Sequence, residues 1–356
     1  MLAMPVITGL GLITPMGADV PSNWQALLAG RCIVDHAKVS GIERPRALAT
    51  AKLAAREAME NAGWGSDIAR DFRTGLVVGT SKGAICEWLA QVSTTESGLG
   101  EISSALSEHF FIVGPRTTIS AACASGLQAL IWGAMWIQTG QADRVLVVAT
   151  EASVHPMFIS SFQRLGVIAQ EGHGCRPFDR QRCGFLMSEA AAAVCLESAE
   201  AAENKLARIN RFALGGDALT ITSSDPTGRT LRRLLHQVID GRPVDLIHAH
   251  GTGTEINDPV ELSAIEAMIP EQSPPSLYSH KGSLGHSLGA SGLVSVVINC
   301  LCHSEGIVPP NAQTIDPIPT SRVRIDSIPR QISIHHSIAI ASGFGGAAAA
   351  LSLCSA

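Results

Sequence analysis

The stretch "TTISAACASGLQALIWGAMWIQTGQADRVLVVAT", Thr117 to Thr150, decides how this chain is read. Small residues around Cys123 lead into an apolar run that stops near Gly140, which reads as a buried helix. "VLVVAT", from Val145, is a short β-branched run of the kind that forms a strand covered on both faces. Upstream, "TGLVVGT" from Thr74 is another. Strands alternating with helices imply an α/β chain with a buried sheet. The stretch also poses a chemical question. Cys123 is either a nucleophile at a helix start, favoured as thiolate by the dipole and free amides, or one more buried thiol.

The alternation continues in both directions. "VITGL" near the N-terminus reads as a first strand rather than a signal peptide, since a basic flank is missing and Gly and Pro interrupt the run. "ALATAKLAAREAMENAG", residues 47 to 63, reads as a helix stopped at Gly63, and "AAAAVCLES" from Ala190 closes the first half as a strand. The second half repeats the rhythm: "LIHAHGTG" as strand and loop, "DPVELSAIEAMI" as a helix, and "SLGASGLVSVVINCLCHSEG" as an apolar helix. "HSIAIASGFGGAAAALSLC" then reads as strand, glycine turn and final strand. The expectation is two similar halves, residues 1–208 and 209–356. Hydrophobic residues at 46 % and charged residues at 16 % imply a large core, and a net charge of −5 argues against a nucleic-acid binder. Nine scattered cysteines fit a reducing, cytoplasmic compartment. No run offers the roughly 20 uninterrupted apolar residues a membrane span needs.

Four segments could carry chemistry. Around Cys123, the alanines and Gly126 leave the sulfur unobstructed. "HAHGTGTEINDPVE", residues 248 to 261, puts a strand-end histidine beside hydroxyls and free amides, a setting for binding a polar chain; His248 and His250 share a face and are not separated at this stage. In "SHKGSLGHSLGASG", residues 279 to 292, a buried Lys281 could hold a carboxylate and keep an imidazole in its working tautomer, or could be a surface lysine. Glycines around Phe344 in "ASGFGGAAAA" suggest a turn that approaches something closely. Two metal readings fail on spacing: Cys300, Cys302 and His303 point to different helix faces, and His173 with Cys175 lacks a second ligand pair.

These segments in this order closely resemble the β-ketoacyl-acyl carrier protein synthases, elongating type, of the thiolase-like superfamily. "VITGLGLITPMG", "CRPFDRQRCGF" (Cys175 to Phe185) and "DALTITSSDPTG" (from Asp217) extend the resemblance nearly end to end. It implies a thiolase-like fold, with duplicated βαβαβ-type halves in a layered α-β-α-β-α sandwich. The N-terminal half would carry the nucleophile and the C-terminal half both histidines. The implied activity is acyl transfer from a carrier thioester to Cys123, then decarboxylative Claisen condensation with a malonyl group on acyl carrier protein. His250 and His286 would stabilise the thioester oxygen, and the Cys123 and Phe344 amides would form an oxyanion hole. Lys281 with Glu261 across from it would orient the site, and the Phe344 ring would gate an acyl pocket near Phe162. Thr252, Thr254 and Thr222 would hydrogen-bond the phosphopantetheine arm. The resemblance implies no metal and no cofactor of the enzyme's own.

It also implies acyl carrier protein and a second ketosynthase-like chain, identical or related, as partners. Arg44, Arg46, the arginines from Arg176 to Arg182 and those from Arg229 to Arg233 are candidates to dock the acidic carrier. The chain departs from the family at Ser188-Glu189-Ala190 (commonly Gly-Glu-Gly), at Ala348 (commonly Asn), and at Thr220 and Ser224 (commonly His and Pro). The region between Gly41 and Ala47 is several tens of residues shorter than usual. These departures suggest a specialised polyketide, polyene or fatty-acid pathway. The alternative is a non-elongating, chain-length-factor-like partner subunit, which typically lacks the nucleophile. A decarboxylase-only variant usually replaces that cysteine too. A cysteine hydrolase or a thiolase fits the Cys-His-His-Lys set less well.

Overall fold

β1 (Pro5–Ile13) is buried along its whole length. It is followed by α1 (Val20–Leu28), α2 (Arg46–Asn61), α3 (Ser66–Ala69), β2 (Thr74–Gly79), α4 (Ile85–Leu89), α5 (Glu101–Phe110) and β3 (Arg116–Ile119). Then come α6 (Ser125–Gln138), β4 (Arg144–Glu151), α7 (Pro156–Arg164) and β5 (Ala190–Ser198). The second half holds β6 (Ala207–Gly216), α8 (Arg229–Ile239), β7 (Leu246–His248), α9 (Asn257–Glu266), β8 (Ser276–Tyr278), α10 (Lys281–Leu284) and α11 (Ser291–Glu305). It ends with a small ribbon of β9 (Ile307–Val308) and β10 (Arg330–Gln331), then β11 (His336–Ser342) and β12 (Ala347–Cys354). This computed structural model describes residues 3–90, 98–217, 219 and 225–356.

Ten strands hydrogen-bond in the order β3-β2-β4-β5-β1-β6-β12-β11-β7-β8. Read outward from the centre, the two halves run 1-5-4-2-3 and 6-12-11-7-8. In both, the three outer strands are parallel and the next one inward is antiparallel to its neighbours. The strand order therefore shows the duplication directly. We place the division in the 199–206 connection, because 208/209 falls inside β6.

Only two residue pairs, Val6–Arg208 and Ile7–Ala207, join β1 to β6, and the halves face each other across α6 and α11. Val77 and Val147 of one half and Leu351 and Leu353 of the other share a core with Leu127 and Leu130 of α6 and Val294 and Val297 of α11. The alternate strand residues Val78, Val148, Ile338 and Ile340 point outward, the first two to α2 and α5 and the last two to α8 and α9. The result is five layers, α-β-α-β-α. Strands covered on both faces cannot alternate polar with apolar, which is why they read as unbroken apolar runs. The run Leu288–Glu305, apolar enough to cross a membrane, is this interior helix and the turn before it. On the outside, a Cβ on Gly9 or Gly11 would come within 2.1 Å or 2.0 Å of the Ala58 and Ala54 carbonyl oxygens, so α2 rests its backbone directly on β1.

Candidate active site

Cys123 lies two residues before the first residue of α6, not within its first turn. Ala122 before it is held at φ 49°, a conformation that costs an L-residue about 1–2 kcal/mol. The turn is over-determined by hydrogen bonds: the Ala124 and Ser125 amides donate to the Ala121 and Ala122 carbonyls, at 3.0 and 3.2 Å. The Ser125 hydroxyl accepts from the Ala121 N–H at 2.9 Å and donates to the Ala122 carbonyl at 2.6 Å. The strained turn presents the sulfur to a cleft that His250, His286, Phe162 and Phe344 also line. The β11–β12 turn comes in against it. A Cβ on Gly343 would lie 2.9 Å from the Ala121 oxygen and 3.1 Å from the Cys123 nitrogen, so only glycine permits this approach. Among the described residues, no turn or loop hydrogen bond uses the Cys123 or Phe344 amide.

The expected thiolate is not the resting state. Desolvation pushes the Cys123 thiol up to about 11, against the opposing fields of Lys82 and Lys281. Burial outweighs both cations and whatever the helix start contributes. The imidazoles of His250 and His286 stand edge to face with centroids 5.4 Å apart. Burial, and then the positive charge of Lys281, hold both far below the usual histidine range, so both are neutral. The Phe185 ring packs against His286 at 4.9 Å, and the His286 Nδ1 atom has no partner among the described residues.

Lys281, fully buried, donates from Nζ to the His250 carbonyl oxygen. The Glu261 carboxylate accepts the amides of His250 at 2.6 Å and Gly251 at 2.8 Å. The two charged groups thus hold opposite sides of the His250 backbone. Among the described residues they form no direct ion pair within 4.0 Å, and Lys281 reaches the His250 peptide rather than an imidazole. Burial lowers Lys281 to about 8 and raises Glu261 to about 7, each countered by the other's field. Asp258 at the start of α9 completes the loop, accepting the Phe178, Thr252 and Gly253 amides at 2.7, 3.0 and 3.1 Å. The Thr252 and Thr254 hydroxyls bond each other at 2.9 Å on the cleft wall. Thr222 lies outside the described residues, as do Thr220 and Ser224. Phe162 stands 6.1 Å from Phe344 and 5.6 Å from Phe185, ring centroid to centroid.

His248 and His250 are separated by the fold. His248 points into the interior, where its Nδ1 meets the Asn299 side-chain oxygen and its Nε2 meets His280 Nδ1, both at 2.9 Å. His280 reaches the Ser291 hydroxyl in turn. This polar string between β7, α10 and α11 does not border the cleft. Arg46 is not available for docking: it forks onto buried Glu189 and donates to the Val39 and Ile42 carbonyls, tying down the short 39–46 segment.

Comparison with known proteins places the chain. Residues 46–202 match the beta-ketoacyl synthase N-terminal domain and residues 206–314 its C-terminal domain. The tetracenomycin polyketide synthase ketoacyl synthase alpha subunit of Streptomyces glaucescens is 27 % identical over 96 % of this chain and 94 % of its own. The 3-oxoacyl-[acyl-carrier-protein] synthase 2 of Coxiella burnetii is 28 % identical over 96 % of both. Among solved structures, the ishigamide ketosynthase/chain length factor aligns with a TM-score of 0.89 at 26 % identity over the full length of both chains. A type II polyketide ketosynthase in complex with its acyl-carrier protein aligns at 0.91 and 23 % identity, a likeness of fold.

Proposed function

Because the chain belongs to the beta-ketoacyl synthase family, we propose that Cys123, His250 and His286 carry out its C–C bond-forming reaction. In the first half-reaction the Cys123 sulfur attacks the thioester carbonyl of an acyl group on carrier phosphopantetheine. The sulfur–acyl bond forms as the pantetheine sulfur leaves, and the thiol proton passes through a neutral imidazole to that leaving sulfur. The Cys123 and Phe344 amides receive the transient oxyanion. In the second, a malonyl thioester places its carbonyl oxygen between the two imidazoles. Its carboxylate departs as carbon dioxide, and the electron pair left behind becomes an enolate stabilised by both rings. That carbon then attacks the Cys123 thioester and expels the thiolate, giving the β-ketoacyl carrier. Neutral rings suit this step, because an imidazolium would protonate the carbanion.

Lys281 and Glu261 act as positioning residues through the His250 backbone. Thr252 and Thr254 take the pantetheine arm together with Thr222, and Phe344 with Phe162 borders the acyl chain. The observation that carries the reading is Cys123 on a strained turn, opening on the same cleft as two neutral imidazoles. The carrier is an acyl carrier protein, as in one solved relative, and a second ketosynthase-like chain is the partner, as the ketosynthase/chain length factor relative suggests. A chain-length-factor role for this chain is disfavoured by its nucleophile. All nine cysteines are unpaired, which supports a cytoplasmic setting. A specialised type II polyketide, polyene or fatty-acid pathway accounts for the departures noted above. Intact-protein mass spectrometry with a panel of acyl-carrier thioesters tests the assignment. An added acyl mass on wild type and none on Cys123→Ala is expected; wild type without an adduct from any starter would overturn it.

A further inference from the structure

The polar string behind the cleft has no part in the chemistry above, yet it joins the two segments that carry His250 and Lys281. His248 ends β7 and His280 stands just before α10, both wholly buried. Burial keeps both rings neutral, and the charge of Lys281 acts in the same direction. Where each neutral ring holds its proton follows from the partners. The Asn299 Nδ2 donates to the Ile338 carbonyl oxygen at 3.4 Å, a group that can only accept, so the Asn299 Oδ1 is the atom facing His248. That oxygen only accepts as well, so His248 carries its proton on Nδ1 and offers a bare Nε2 to His280. His280 must then donate from Nδ1, and its Nε2 accepts the Ser291 hydroxyl at 3.2 Å. Ser295 agrees. Its hydroxyl donates to the Ser291 carbonyl oxygen, so the Ser295 oxygen, 3.5 Å from His280 Nδ1, is an acceptor there. One donor direction runs from Ser291 through His280 and His248 to Asn299.

We propose that His248 and His280 are positioning residues for the decarboxylation step, fixing His250 and Lys281 relative to the helix that Cys123 precedes. This rests on the reading of His250 as an imidazole that stabilises the enolate. Three links cross from the end of β7 to the start of α10. They are the His248–His280 bond, the Ala249 N–H donating to the Tyr278 carbonyl oxygen at 2.9 Å, and Lys281 on the His250 carbonyl oxygen. Lys281 directly follows His280, and His250 stands two residues beyond His248, so a shift of the first link moves the third. On its other side the pair is bonded to Asn299 and Ser291 of α11. α11 in turn lies directly on α6, since a Cβ on Gly292 would come within 2.8 Å of the Leu127 nitrogen. Apolar side chains in these places would fill the same space but hold in more than one register. A chain of donors with one direction holds in one. Acylation of Cys123 relies on the turn amides, which the string does not touch. Malonyl decarboxylation relies on where His250 stands, to within about half an ångström.

The test sets His280→Leu against His280→Asn in the full chain. The asparagine amide nitrogen stands as many bonds from the backbone as His280 Nδ1 and can donate to His248 in its place; leucine leaves His248 Nε2 without a donor. With malonyl-pantetheine, carbon dioxide release should fall about tenfold or more in His280→Leu. Acylation by octanoyl-pantetheine, read by intact-protein mass, should change less than about threefold. His280→Asn should recover most of the lost decarboxylation. Equal losses of both reactions in His280→Leu, or no recovery in His280→Asn, overturn the proposal and leave the reading of Cys123 and His250 intact. A measurement on wild type does not depend on whether the variants fold. Nitrogen NMR of protein carrying isotope-labelled histidine should show two rings coupled through an N–H···N hydrogen bond, each protonated on Nδ1 alone at neutral pH. Absence of that coupling, or a proton on Nε2 of either coupled ring, overturns the proposal. Absence of both reactions in wild type overturns the reading of Cys123 and His250, and this proposal with it.

Discussion

Replacing Gly343 with alanine tests whether the β11–β12 turn and the Cys123 turn form one device. Gly343 has φ −132° and ψ 153°, extended backbone that alanine adopts freely, so the change is purely steric. The new Cβ would lie 2.9 Å from the Ala121 oxygen, where ordinary contact begins at 3.4 Å. The two turns must part by about half an ångström, because the atoms the new Cβ meets are the Ala121 oxygen, the Cys123 nitrogen and the Ala122 Cβ, none of which can swing aside. That displacement is the tolerance a catalytic constellation has. It carries the Phe344 amide away from the oxyanion position, where losing one donor costs about 10²–10³ in rate. A partial loss of roughly 30-fold in single-turnover acylation is the expectation, with about 1–3 kcal/mol of stability. Gly345→Ala is the control: nothing lies within 4 Å of its Cβ, and φ is +80°, so it carries a backbone penalty of about 1 kcal/mol with no push on Cys123. Acylation by intact-protein mass and urea unfolding read both effects. If Gly343→Ala acylates as fast as Gly345→Ala, the two turns are not coupled and the Phe344 amide is not the oxyanion donor.

Lys281→Met leaves the His250 carbonyl without its donor and Glu261 without its compensating charge. Malonyl decarboxylation, which needs His250 in place, should fall at least tenfold further than Cys123 acylation, read as carbon dioxide release against acyl-enzyme mass; equal losses would mean a general collapse of the site. Four histidines, His248, His250, His280 and His286, are held below 6.5 by burial, so their contribution is complete above pH 6.5 and is lost as the pH falls through 6.5 toward their folded values. At pH 5.5 each should cost on the order of 1 kcal/mol, and several kcal/mol together, enough to weaken a marginal domain near pH 5. Circular dichroism along an acid titration checks this, and a fold intact at pH 4 would refute it.

Much of the fold was legible because burial on both faces writes itself into composition. The runs from Thr74, Val145 and Ala190 became β2, β4 and β5, and the helix read over residues 47 to 63 became α2 at Arg46–Asn61. The helix after Cys123 starts two residues later than its small-residue lead suggested, since Ala122 at positive φ belongs to a turn that alanine does not announce. The site residues were legible as motifs, but not what each one touches. A lysine five residues before His286 suggested a group that holds a carboxylate and keeps an imidazole in its working tautomer; the fold instead brings it to the His250 carbonyl, 31 residues away along the chain. His248 and His250 looked equivalent until the end of β7 sent one toward Asn299 and the other into the cleft.

The electrostatics of the cleft follow from one cause acting on several groups. Low polarity holds the Cys123 thiol protonated, the imidazoles neutral, Lys281 near 8 and Glu261 near 7. With burial holding the thiol protonated, the proton leaves as the sulfur attacks rather than before it. The same desolvation strengthens every dipole aimed at charge that appears during the reaction, including the turn amides and the imidazole N–H groups. A site built to attack from a stable thiolate would gain from a cation in direct contact with sulfur. This one places its buried ammonium on a backbone carbonyl instead, where it fixes the position of a ring that must be ready before any charge forms.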